Sequence, residues 1–159
     1  MKSVWAIEIR APKERVWRAL TTPGALQPFY FNSRFDAELR PGGALTYSSA
    51  DGKHTFIHGV VVQLTPETTL VHSFRFADLA EPEQRVALEL LDIGGGTRVT
   101  VRHEGLESAP KHASRVARGW PHILANLKRW MEVGKLSSNT RFQYALLAAL
   151  FSVMPKRGH

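Results

Sequence analysis

"GWPHILANLKRW", residues 119–130, decides how the last third of the chain is folded. Ile123, Leu124, Leu127, Trp130 and Met131 recur at the spacing that lines up one face of an α-helix. Gly119 and Pro121 stand at the front of that stripe, and both are poor residues for a helix interior. Proline is favoured in a first turn, where its missing N–H has no partner to lose, so the stretch by itself reads as a helix start. The alternative is a longer helix that bends here, because Pro121 cannot donate to the carbonyl of Ala117.

Working outward, "VWAIEI" at the N-terminus reads as a strand, and "APKERVWRAL" as a helix with Pro12 in its first turn and Val16, Trp17 and Leu20 on one side. A short helical turn is expected over residues 25–30, weakened by Pro28. From Arg34 to Glu104 six segments mostly alternate apolar with polar side chains: "RFDAEL", "ALTYSS", "TFIHGVVVQL", "TLVHSFRF", "RVALELLD" and "TRVTVRHE". Turn-rich "RPGG", "ADGK", "TPET", "DLAEPEQ" and "IGGG" separate them. Separators this short imply antiparallel hairpins. With the first strand this makes about seven, in an α+β chain whose long C-terminal helix lies across one face of a curved sheet.

The chain has 159 residues, 43% of them hydrophobic, which suits one domain with a core that needs no covalent staples. It has no cysteine, so disulfides and thiolate chemistry are excluded. Charges at Glu8, Arg10, Lys13, Glu14 and Arg15 break up any signal-peptide pattern, and a cytoplasmic location is expected. The formal charge of +7 is uneven: residues 1–110 carry 12 Lys and Arg against 13 Asp and Glu, whereas residues 111–159 carry 9 against 1. A basic third could be a solvated helix face or could meet an anionic partner. No nucleic-acid motif accompanies it, and no nucleic-acid partner is expected.

The pieces "APKERVWRALTTPGAL", "LRPGGALTY", "GVVVQLTPETTLVHSFRF", "GTRVTVRHEG" and "GW" followed by "LANLKRWMEVG" occur in an order and spacing that resembles the SRPBCC or START-like superfamily. Within it the chain is most similar to the bacterial single-domain group named after the activator of the heat-shock protein 90 ATPase. The resemblance covers residues 4–134. It implies a helix-grip fold, with the sheet wrapped around the C-terminal helix and a ligand cavity between them. It also implies that the long helix runs through the Gly-Trp pair, so a helix over residues 112–133, bent at Gly119 to Pro121, is expected. The superfamily includes lipid carriers, hormone receptors, polyketide cyclases and a co-chaperone domain, so fold alone does not choose a function.

Alternation indicates which side chains point under the helix. In the third of the six segments the expected inward set is Phe56, His58, Val60, Val62 and Leu64. In the fourth it is Leu70, His72, Phe74 and Phe76, in the fifth Val86, Leu88 and Leu90, and in the sixth Val99, Val101 and His103. With Tyr47 on the second segment and Trp120 and Leu124 on the helix, these supply the expected cavity wall: Tyr47, Phe56, His58, Val60, His72, Phe74, Leu88, Val101, His103, Trp120 and Leu124. Gly119 is expected to permit close approach. Three histidines on an apolar phase leave three readings open: rings satisfied singly by the backbone, polar anchors for a ligand, or metal ligands. No paired histidine spacing or convergent carboxylate supports a metal, and neither metal nor cofactor is expected. His122 and Asn126, one helical turn apart, could reach the pocket mouth or face solvent.

The expected function is binding of a small hydrophobic or amphipathic ligand, with a co-chaperone-like interaction module or a polyketide cyclase-like enzyme as alternatives. In the cyclase reading His72 or Tyr47 would be the acid or base. No catalytic motif is present to make enzyme activity an expectation. A polar linker and an apolar-basic tail helix, residues 135–159, follow the main domain, residues 1–134. "FQYALLAALFSVM", residues 142–154, is about 20 Å long if helical, too short to cross a hydrocarbon core of about 30 Å. Packing on its own domain, homodimer formation, contact with a membrane surface, and disorder are all open for it.

Overall fold

The computed structural model describes residues 3–78 and 82–135. The expected tail helix, with its homodimer and membrane roles over residues 142–154, lies outside the described residues. Strand β1 (Val4–Ile9) is followed by helix α1 (Lys13–Thr21), the short β2 (Leu26–Gln27), and β3 (Ser33–Ala37), β4 (Ala44–Ser48), β5 (Thr55–Thr65), β6 (Thr69–Phe76), β7 (Gln84–Asp92) and β8 (Thr97–Glu104). One turn of 3-10 helix, Leu106–Ser108, leads into α2 (Pro110–Val133). All strands join one antiparallel sheet in the order β1-β8-β7-β6-β5-β4-β3-β2. The fold is therefore the expected helix-grip arrangement. The sheet has eight strands rather than about seven, because the segment expected to make a helical turn over residues 25–30 instead contributes β2, paired with β3 at Leu26↔Arg34 and Gln27↔Ser33.

Helix α2 runs without interruption through Gly119 and Pro121. Both Pro121 and Ala117, whose carbonyl loses its usual donor, lie on the exposed side of the helix, where water can satisfy that oxygen. Its opposite face buries Val116, Trp120, Ile123, Leu124, Leu127 and Met131 against the concave side of the sheet. From the sheet come Phe35, Leu45, Tyr47, Leu70, Val86, Val99 and Val101, each 2% exposed or less. Pro110 occupies the first turn of α2, and Gly134 ends it at φ +82°, its N–H returning to the carbonyl of Trp130.

The C-terminal end of α2 is pinned to the start of the chain. The Glu132 carboxylate accepts from the Arg10 backbone N–H and the Lys128 ammonium, both at 2.8 Å. Lys128 also donates to the carbonyl of Glu8 at 2.7 Å, and Arg15 to that of Met131 at 2.9 Å. These bonds fix the angle at which the helix lies in the sheet, and with it the position of Trp120 halfway along.

Candidate functional site

Under the middle of α2 the apolar core gives way to a buried polar row. The Trp120 indole Nε1–H donates to His103 Nδ1 at 3.0 Å, and His103 Nε2 faces Gln84 Oε1 at 2.5 Å. An indole N–H can only donate, so Nδ1 must be the bare nitrogen and Nε2 must carry the proton that reaches Gln84. Both ring nitrogens of His103 are thereby committed. The His72 Nδ1 contacts the carbonyl of its neighbour Ser73 at 2.7 Å, and a carbonyl can only accept. The His72 proton therefore sits on Nδ1 and its Nε2 presents a lone pair, to which no described residue donates.

Gly59 makes the His72 arrangement possible. A Cβ at that position would stand 2.1 Å from the Ser73 carbonyl oxygen, so only glycine lets this oxygen approach β5 while it accepts from His72. Burial pushes the His72 imidazole down to about 4, against the pull of the Ser73 carbonyl. His103 is likewise pushed down to about 4 by burial, with the proximity of His72 adding to it. At neutral pH neither ring is charged.

A continuous run of ring contacts extends from this row. Tyr47 on β4 stacks on Tyr30, centroids 4.2 Å apart and planes 16° apart, and Tyr30 meets Trp120 edge-on at 5.8 Å. Trp120 contacts His103 at 6.2 Å, and His103 meets Phe74 edge-on at 4.8 Å. Tyr30 and Tyr47 are buried, yet neither phenol hydroxyl has a hydrogen-bond partner among the described residues. Burial raises both phenol pKa values, that of Tyr30 further through Tyr47, so both remain neutral donors. Among the described residues this row thus offers two O–H donors and one nitrogen acceptor, with no formal charge.

Of the side chains expected to line the interior, Tyr47, His72, Phe74, Leu88, Val101, His103, Trp120 and Leu124 are all buried under α2. His58 and Val60 are corrections: both face solvent, Val60 at 43% exposure, as does Val62 at 40%, and Phe56 is only half-buried. The inward phase of β5 is instead Ile57, Gly59 and Val61. Strand β5 carries two register shifts, one that leaves Phe56 as an extra residue opposite β4 and one that leaves Val62 extra opposite β6. A strict period of two run back from the half-buried Leu64 crosses the second bulge and lands on the wrong face. Gly119 also departs from expectation, since nothing stands within 4 Å of where its Cβ would be.

Three contributors had no clear signal. Tyr30 sits in a segment read as helical, and Gln84, the first residue of β7, is in phase with Val86 and Leu88 but precedes the segment expected to be a strand. Phe31, φ +53° and 42% exposed, holds a backbone conformation rare for a bulky residue and stacks on His122 at 5.1 Å. That places His122 at the rim of the site, half-buried, where Asn126 Nδ2 donates to its Nε2 at 3.0 Å. Among the described residues no group of three or more His, Asp or Glu comes together in a way that could hold a metal ion. No helix among them is long and apolar enough to cross a membrane.

The family model described as activator of Hsp90 ATPase homolog 1-like protein matches residues 10–132. No curated protein matches the sequence. Among solved structures, CalU16 from Micromonospora echinospora superposes with a TM-score of 0.67 at 20% identity, over 94% of this chain and 84% of that one. DynU16, from the dynemicin biosynthetic locus, gives 0.68 at 20% identity over 84% of this chain and 48% of that one. PFC0360w, an HSP90 activator from Plasmodium falciparum, gives 0.64 at 20% identity over 84% and 97%. Identities this low establish a shared fold and leave the function to be argued from the side chains.

Proposed function

The chain belongs to the activator of Hsp90 ATPase homolog 1-like family, and from that premise we propose that it binds a small, uncharged, largely apolar molecule between the sheet and α2. One observation carries this reading: the rings of Tyr30 and Tyr47 are buried beside a run of aromatic rings, and neither hydroxyl bonds a described residue. A ligand that accepts from one of them gains a hydrogen bond worth about 0.5–1.5 kcal/mol. A ligand carbonyl suits the phenols, and a ligand hydroxyl suits the free nitrogen of His72. Apolar contact at about 25 cal/mol per Å² sets the affinity, and the three polar groups select among shapes of equal size. A charged ligand finds no counter-charge among these groups and is rejected.

His72 is an orienting acceptor here rather than a strong base, because a ring with a pKa of about 4 takes protons weakly at pH 7. Titration calorimetry with a neutral hydroxyanthraquinone, its carboxylated analogue and anthracene checks the proposal. The neutral hydroxyquinone should bind best, and Tyr30→Phe with Tyr47→Phe should weaken it about tenfold or more while leaving anthracene unchanged. Tightest binding of the carboxylate, or no change in the double variant, would sink it.

A further inference from the structure

The sheet and the helix carry their charges differently. On the sheet side, four arginines pair with carboxylates: Arg98 with Glu8 and Arg102 with Glu89 at 2.8 Å, Arg40 with Glu38 at 2.7 Å, and Arg75 with Glu83 at 4.0 Å, while Lys53 and Arg85 stand apart from one another without an ion-pair partner among the described residues. On α2 the only acidic residue, Glu132, is already taken by Lys128 and the Arg10 N–H. Lys111, Arg118 and Arg129 are exposed and have no ion-pair partner among the described residues. They are seven and eleven residues apart, and at about 100° per residue both steps return to within about 20° of the same line. The three therefore form a straight row about 27 Å long on the solvent face of the helix. Arg115 lies on its flank, held by Asp78 at 3.4 Å and over the Phe76 ring at 4.8 Å.

Small side chains fill the space around that row: Ser114, Ala117, Pro121 and Ala125 are exposed. Phe31, packed against His122 near its midpoint, is the large apolar ring beside it. A protein partner would want a cluster of aromatic anchors in a pocket, and single-stranded nucleic acid a series of stacking rings. An exposed row of cations with one aromatic at its edge matches an anionic surface instead.

We propose that the solvent face of α2 is a docking surface for anionic phospholipid membranes, with Lys111, Arg118 and Arg129 as its contacts. The contact is reversible and electrostatic, and it weakens as salt shortens the screening length to about 8 Å at physiological ionic strength. It is independent of what the interior binds, because none of the three cations touches the interior row.

The test is co-sedimentation of the full chain with vesicles of phosphatidylcholine alone or with 30 mol% phosphatidylglycerol. The chain should partition onto the mixed vesicles only, and release as sodium chloride is raised. Lys111→Glu with Arg118→Glu and Arg129→Glu should lower the partition coefficient about a hundredfold, at about fivefold or more for each cation. A control with the same net charge, Arg40→Glu with Lys53→Glu and Arg85→Glu, should lose much less. Circular dichroism and the thermal midpoint establish that both variants are folded. No partition of the wild-type chain overturns the proposal. So does an equal loss in both triple variants, which would reduce the effect to net charge, or displacement from vesicles by an equimolar 30-nucleotide DNA.

Discussion

Acidification should strip stability from this protein in a defined window, because its interior holds two imidazoles neutral. His72 and His103 have folded pKa values of about 4 against about 6.5 for the same ring in an unfolded chain. Between those values the unfolded chain binds more protons than the folded one, so the stability present above pH 6.5 is lost as the pH falls towards 4 and changes little below it. Each ring then accounts for about 2 kcal/mol between pH 7 and pH 5, about 4 kcal/mol for the pair. Against a typical margin of about 5–15 kcal/mol that is a large share. His122, also shifted down by partial burial, adds with the same sign. Asp51 and Glu132, whose carboxyls are held below their ordinary values by hydrogen bonds, lose their contribution at lower pH and leave this window alone. Urea titrations at half-unit steps from pH 7 to pH 5 measure the loss. His103→Gln keeps an acceptor for Trp120 and a donor for Gln84 but cannot titrate, so its dependence on pH should be about half as steep. A loss under about 1 kcal/mol over the window, or an unchanged slope in His103→Gln, would refute the assignment of both rings as buried and neutral.

Two glycines should respond to alanine in opposite directions. Gly59→Ala forces a methyl to 2.1 Å from the Ser73 carbonyl oxygen, displacing the acceptor of His72, and should cost about 3 kcal/mol or more in urea unfolding. Gly119→Ala places a methyl in open space inside a helix, and should stabilise the protein by about 0.5–1 kcal/mol; destabilisation would mean that the site needs the helix to give way there.

The fold was legible because its evidence is redundant. Six alternating segments, their short separators and one long apolar stripe all point to the same antiparallel sheet and helix, and an error in one leaves the others standing. Misreading residues 25–30 as a helical turn cost the fold one two-residue strand at the sheet edge, and cost the site Tyr30. The site lacks that redundancy. On β6, β7 and β8 no extra residue shifts the phase, so His72, Leu88, Val101 and His103 could be placed from spacing alone. On β5 two bulges shift the phase, and His58 and Val60 move from the expected interior to the surface.

The bulges that defeated the sequence reading belong to the physics of the site. An extra residue on one strand bends the sheet and tightens its twist, and β5 is the strand with one at each end. Between the two extra residues, the side chains aimed inward are Ile57, Gly59 and Val61, and the missing side chain at Gly59 is what lets the Ser73 carbonyl hold the His72 proton. His58 could have been an interior anchor only on a flat, regular β5. With β5 bent, the polar groups facing α2 come from other strands: His72 on β6, Gln84 on β7, His103 on β8 and Tyr47 on β4. The irregular strand thus shapes the wall and the regular ones carry its chemistry.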